Sequence, residues 1–110
     1  MTQITFYKTT AGEYQGFTCA GHAGYANYGE DIVCASISVL VINTINSLEE
    51  ITAEKINVET DKDRGVIRCR FVDRTLKETS RVLVDSLVLG LTQIEKQYGK
   101  NYCKLTFEEV

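Results

Sequence analysis

Apolar residues recur at two different periods along this chain, and the order in which those periods alternate limits the folds open to it. Period-two alternation comes first, at Ile4 and Phe6 and then, after the turn Ala11-Gly12-Glu13, at Phe17 and Cys19. It returns at Ile56 and Val58, which alternate with Lys55, Asn57 and Glu59. Beyond the polar turn Asp61-Lys62-Asp63-Arg64-Gly65 it resumes at Ile67, Cys69 and Phe71, and it closes the chain at Cys103, Leu105 and Phe107. Side chains two apart share one face of a strand, so each segment has one apolar face, and the short links between neighbours suit hairpins.

Two stretches at helical period separate these strands. From Ile32 to about Glu50, residues Val33, Ile37, Val41, Ile45 and Leu48 fall on one side, with Ser36, Asn43, Ser47 and Glu50 on the other. Its Val and Ile content favours a strand, but length and period predict a helix. Asp31 stands where a cap belongs, its carboxylate able to accept from the amides of the first turn. In the later stretch, Thr75 and Glu78 have capping-box spacing. Leu76, Leu83, Leu87, Leu91, Ile94 and Tyr98 make its stripe, and Lys96 and Gly99 mark its end. The expected fold class is α/β of the α+β type, in the order strand, strand, helix, strand, strand, helix, strand. Its sheet is mostly antiparallel, with the helices on one or both faces.

The 110 residues contain no proline, repeat or low-complexity stretch, which predicts a single domain over 1–110. At 44% hydrophobic and 25% charged, the chain can bury a core without a metal or disulfide staple. Its net charge is −3, from 15 acidic against 12 basic side chains, and no basic block stands out. That argues against nucleic acid as the primary partner. The longest apolar stretch, Ile32 to Ile45, is broken by Ser36, Ser38, Asn43 and Thr44, so no membrane-spanning helix is expected. The start of the chain lacks the basic and apolar blocks of a secretory leader, so a cytoplasmic protein with reduced thiols is expected.

Candidate chemistry is densest between Gly21 and Cys34. Cys34 sits about three residues inside a helix start, where freed amides and the helix dipole favour a thiolate. His22, the one histidine, stands at the end of the second strand and within a loop's reach of Cys34. A cysteine with a histidine in reach is the minimum apparatus for covalent acyl transfer. In the loop between them, Gly24 and Gly29 allow unusual backbone angles, and Tyr25 and Tyr28 offer aromatic surface to an apolar peptide. Ser38 lies one turn beyond Cys34, and the first-turn amides suit an oxyanion.

Each of these residues also has a plainer reading. Cys34 can be a small core residue and His22 a structural one. The glycines can simply shape a turn, the tyrosines anchor a loop, Asp31 cap a helix and Ser38 occupy a tolerated helix position. The residues alone leave both readings open. Cys19, Cys69 and Cys103 are in register with apolar neighbours and are expected to be buried and inert. Without a paired C-x-x-C, neither a metal site nor a thiol redox centre is expected, and no cofactor is implied.

Gly21-His22, together with Asp31-Ile32-Val33-Cys34-Ala35-Ser36-Ile37-Ser38, resembles the ribosomal-processing cysteine protease family called Prp. The resemblance extends over nearly the whole chain. It implies a cytosolic bacterial endopeptidase, a small homodimer with a mobile loop between its two catalytic residues. Its substrate would be the precursor of large-subunit ribosomal protein number twenty-seven, trimmed of a short amino-terminal extension after an aromatic-rich stretch. Under the resemblance, Cys34 is the nucleophile and His22 the general base and acid, with Gly21, Asp31 and Ser38 at accompanying positions. The competing classes are a non-catalytic module that binds ribosomal protein or RNA, and a thiol redox protein.

Overall fold

Every alternating segment forms a strand and both stripes form helices. The computed structural model describes residues 1–27 and 30–110. The elements are β1 (Thr2–Lys8), β2 (Tyr14–Ala20), α1 (Ile32–Glu50), β3 (Ile56–Asp61), β4 (Val66–Phe71), α2 (Glu78–Tyr98) and β5 (Cys103–Glu109). They form one sheet in the order β3-β4-β2-β1-β5. The pairs β1–β2, β2–β4 and β3–β4 are antiparallel, while β1–β5 is parallel, so the sheet is mixed. The parallel pair follows from connectivity: α2 carries the chain across the sheet, so β5 arrives running the same way as β1.

Register gathers the apolar faces. Phe6 lies opposite both Phe17 and Phe107, and Phe17 lies opposite Cys69, so four side chains form a row across four strands, buried at Phe6, Phe17 and Cys69 and exposed at Phe107 on the edge. The ring of Phe6 stands 5.5 Å from that of Phe17 and 5.7 Å from that of Phe107. Val33, Ile37, Val41 and Leu48 of α1 and Val84, Leu87 and Leu91 of α2 close over this row, each 2% exposed or less. The helices lie side by side on the same face of the sheet. A Cβ at Gly90 would stand 2.9 Å from Leu40 Cδ1, so the missing side chain is what allows that approach. The opposite face is polar, with Tyr7, Thr18, Arg68 and Arg70 around a shallow depression. By length and composition α1 could cross a bilayer, yet its most apolar stripe is spent on the core.

Two expectations change. The capping box at Thr75 does not form: α2 begins at Glu78, and its cap position, Lys77, makes no side-chain cap bond. Long-range contacts fix that helix start instead. The Lys77 amide donates to Glu54 Oε1 at 3.1 Å, and Lys77 Nζ donates to the carbonyls of Thr52 and Ala53 at 2.7 and 3.1 Å. The stripe also shifts, with Val84 fully buried and Leu83 only half-buried, because α2 meets α1 along one flank and the sheet along the other. Neither helix covers the edge strand β3, whose inward-facing Val58 stays 39% exposed although its partner Cys69 is buried.

Candidate active site

The site begins where β2 leaves the sheet. Gly21 adopts φ +91°, and a Cβ there would stand 2.6 Å from the Met1 carbonyl oxygen, so this corner requires glycine. Its amide donates to the Gly65 carbonyl at 3.0 Å, tying the end of β2 to the β3–β4 turn. His22 follows immediately and is thereby set beside that turn. A Cβ on Gly65 would come within 3.0 Å of His22 Nε2 and 3.1 Å of Cε1. The imidazole therefore packs so closely on Gly65 that a side chain there would press on it.

Asp31 builds the other half. It caps α1 as its sequence position predicts, with Oδ1 accepting from the Cys34 amide at 2.9 Å. Oδ2 accepts from the Tyr25 amide, also at 2.9 Å. Desolvation pushes this carboxyl up, but the amides of Cys34, Tyr25, Ala26 and Val33 outweigh it and hold it below the usual carboxylate range. A folded-state value below the unfolded one gives stabilisation that is complete at neutral pH and disappears as pH falls through the folded value. Asp31→Ala should cost about 1 kcal/mol at neutral pH, read as an earlier urea midpoint, and this deficit should shrink in acid. The same bonds modify one expectation: the Cys34 amide already has an acceptor, so it is not a free oxyanion donor.

The described part of the connecting loop is moored at several points. Ala23 is buried, and Tyr25 packs edge-on against Tyr98 and Tyr102 at centroid distances of 5.5 and 5.2 Å. Tyr25 is thus a loop anchor in this structure, and it is not among the residues that line the cavity. Tyr28 and Gly29 lie outside the described residues.

Gly21, His22, Gly24, Asp31, Cys34 and Ser38 all line one cavity of about 860 Å³. The sequence placed these six near one another along the chain; the fold puts them around a common space. Other contributors were not singled out, those of the β3–β4 turn among them. Gly65 carried a turn signal but none for its contact with His22, and Asp61 and Lys62 of the same turn also reach the cavity. No local pattern announces a contact made across a sheet.

Cys34 is half-buried, whereas Cys19, Cys69 and Cys103 are all buried, as their alternation predicts. Burial pushes the Cys19 thiol up to about 12, with Cys103 and Cys34 adding to the shift. It also raises Cys69 to about 12, helped by the Glu49 carboxylate, and Cys103 to about 11, helped by Glu95. Those three stay protonated and shielded at ordinary pH, so iodoacetamide at pH 6.5 should label Cys34 well before the others. Equal labelling of all four, read by peptide mass mapping, would contradict this.

A half-buried cysteine at a helix start thus shares a cavity with the chain's one histidine. The sequence pattern of the family Cysteine protease Prp fits residues 1–103. The ribosomal processing cysteine protease Prp of Staphylococcus aureus is 31% identical over 81 residues, covering 74% of this chain and 76% of its own. The Bacillus subtilis protein of the same name is 24% identical over 104 residues, 92% of this chain and 93% of its own. The fold agrees. A crystal structure of the S. aureus protease in complex with a covalently linked product peptide superposes with a TM-score of 0.88 at 24% identity, over 100% of both chains. The chain therefore belongs to the cysteine protease Prp family and is a cysteine protease.

Proposed function

We propose that this protease removes the amino-terminal extension of large-subunit ribosomal protein number twenty-seven, with Cys34 as nucleophile and His22 as general base and acid. One observation carries the reading: His22 in the loop after β2 and Cys34 in α1, twelve positions apart, line the same cavity. The relatives' names, which specify ribosomal processing, and the covalently linked product peptide held by the S. aureus protein support the reading.

His22 takes the Cys34 proton as Sγ attacks the scissile carbonyl carbon. The tetrahedral intermediate collapses, the C–N bond breaks, and His22 returns the proton to the departing amine, which is the mature ribosomal protein. The extension remains as a thioester on Cys34. Water, deprotonated by His22, attacks that thioester and restores the thiol. Gly21 and Asp31 act in support, one aiming His22 and the other fixing the start of the nucleophile's helix; Ser38 lines the wall one turn further on. The net charge of −3 gives a screened, weak preference for a basic substrate.

The protein works in the cytoplasm as a homodimer in this reading. The outward sides of the helices supply the surface, since Ile32 and Val39 of α1 and Val82 and Leu89 of α2 are each more than half exposed. The test is a synthetic peptide carrying an aromatic-rich extension, incubated with the enzyme and followed by mass spectrometry. Two peptide fragments and a transient mass gain on Cys34 are expected. A peptide that binds but is never cut would replace this function with that of a binding module.

A further inference from the structure

Two of the four thiols border the cavity, Cys34 and Cys19. Cys34 leans on the apolar core from the first turn of α1, and Cys19 belongs to that core, on the inner face of β2 and 7% exposed. The two are near enough that burial raises the Cys19 thiol and charge on Cys34 adds to the effect, as does charge on Cys103. Sheet geometry nevertheless removes the other partners for Cys19. Neighbouring strands lie about 4.8 Å apart, so Cys103 on β5, with β1 in between, is roughly 9–10 Å away across the backbone. Cys69 on β4 faces Phe17 and meets Cys19 only on the diagonal, about 7–8 Å off. A disulfide spans about 4.4–6.8 Å between Cα atoms. Cys34 approaches from the helix layer and is under neither limit. Among the described residues no group of three or more His, Cys, Asp and Glu side chains is arranged to hold a metal, so the thiol pair is not part of a metal site.

We infer that Cys19 is the resolving thiol of Cys34: once hydrogen peroxide has oxidised Cys34, Cys19 closes a disulfide to it and takes the site reversibly out of action. In the first step deprotonated Cys34 Sγ attacks one peroxide oxygen, the O–O bond breaks, and the departing hydroxide is protonated to water. Cys34 is left as the sulfenic acid. In the second step Cys19 Sγ attacks the Cys34 sulfur, the S–S bond forms, the S–O bond breaks, and the oxygen leaves as water with the Cys19 proton. Two thiols and one peroxide thus give one disulfide and two waters. Burial suits Cys19 to the second step alone. With its thiol raised to about 12 it does not compete for peroxide, whereas half-buried Cys34 is reached first. Once the Cys34 sulfur has become the electrophile, Cys19 is the one other thiol on the same cavity, and His22 borders it as an acceptor for the proton in transit. The pairing holds whatever the substrate; its effect on cleavage rests on the proposed role of Cys34.

The test treats the full chain with a modest excess of hydrogen peroxide, blocks free thiols with iodoacetamide, and digests without reduction using a glutamate-specific protease. Cuts after Glu13, Glu30 and Glu49 put Cys19 on the peptide 14–30 and Cys34 on the peptide 31–49. The expected product is those two peptides joined, from a protein that still runs as one chain on a denaturing gel. Cleavage of the extended peptide should fall as the joined species accumulates, and dithiothreitol should restore most of it. In Cys19→Ala protein, scored against its own untreated activity, Cys34 should instead gain two oxygens, and dithiothreitol should return less than about a fifth of the activity. Cys103→Ala protein should respond as the parent does. Cys34 carrying two oxygens in the parent while Cys19 remains free to alkylate would overturn the inference, and so would a bridge to Cys69, to Cys103 or to a second copy. The parent digest decides this by itself if Cys19→Ala protein does not fold. A complete Cys19–Cys34 bridge with undiminished cleavage would overturn the proposed role of Cys34 and leave the pairing standing.

Discussion

Cys34→Ala should cut the extended peptide at least about a thousandfold more slowly than the parent enzyme, and His22→Ala should lose a comparable amount. In the proposed mechanism the first change removes the atom that forms the thioester, and the second removes the only imidazole in the chain. Neither has a ready substitute. The remaining cysteines are buried in the strands, with thiols held protonated to about pH 11 or 12. Because the two groups act as a unit, the double variant should be little slower than either single one. Cys34 is half-buried and His22 lies at the end of a strand, so both alanine proteins should keep the parent's circular dichroism and cooperative melting. Cleavage persisting in folded Cys34→Ala protein at more than about a tenth of the parent rate would eliminate the covalent route.

Gly65→Ala should lower kcat by about ten- to a hundredfold while KM changes little, although residue 65 makes no contact with Cys34 or substrate in this mechanism. Its new methyl group would stand 3.0 Å from His22 Nε2, closer than ordinary contact, so the ring must move. Alanine at φ +64° also strains the backbone, and this strain has to be separated from the displacement. Gly12 provides the control. It has φ +83°, and a Cβ there meets nothing within 4 Å. Gly12→Ala should therefore cost similar stability, about 1 kcal/mol, and leave kcat alone. The single histidine makes the readout clean, since its Cε1–H resonance should shift in Gly65→Ala and stay in place in Gly12→Ala. If both variants behave alike, the role of Gly65 is confined to the turn.

Much of this architecture was legible in the residues because local patterns determine it. The alternation at Ile67, Cys69 and Phe71 and the stripe from Val33 to Leu48 each report which face meets the core, and those faces are the buried ones. Asp31 was legible for the same reason, since a cap acts on amides only a few residues away. What escaped is what depends on distant partners. The start of α2 at Glu78 depends on Glu54, twenty-three residues before the amide it accepts from, so the Thr75 spacing misleads. The parallel pairing of β1 with β5 joins opposite ends of the chain, with no hairpin to signal it. In the site, the residue types and their order brought out His22 and Cys34 as candidates and left a plainer reading of each open. The bare Gly65 beside the imidazole and the common cavity emerge only when β4 is laid against β2 and α1 is set over the sheet.

The double bond made by Asp31 has a mechanical consequence. One carboxylate holds both the amide of Cys34 and the amide of Tyr25, with separate oxygens. Lifting the loop at Tyr25 breaks one of those two bonds and shifts the load on the other. Any displacement of Tyr25 that breaks its bond to Asp31 therefore acts on the same carboxylate that holds the Cys34 backbone, so the two segments are geared together like a latch and its bolt.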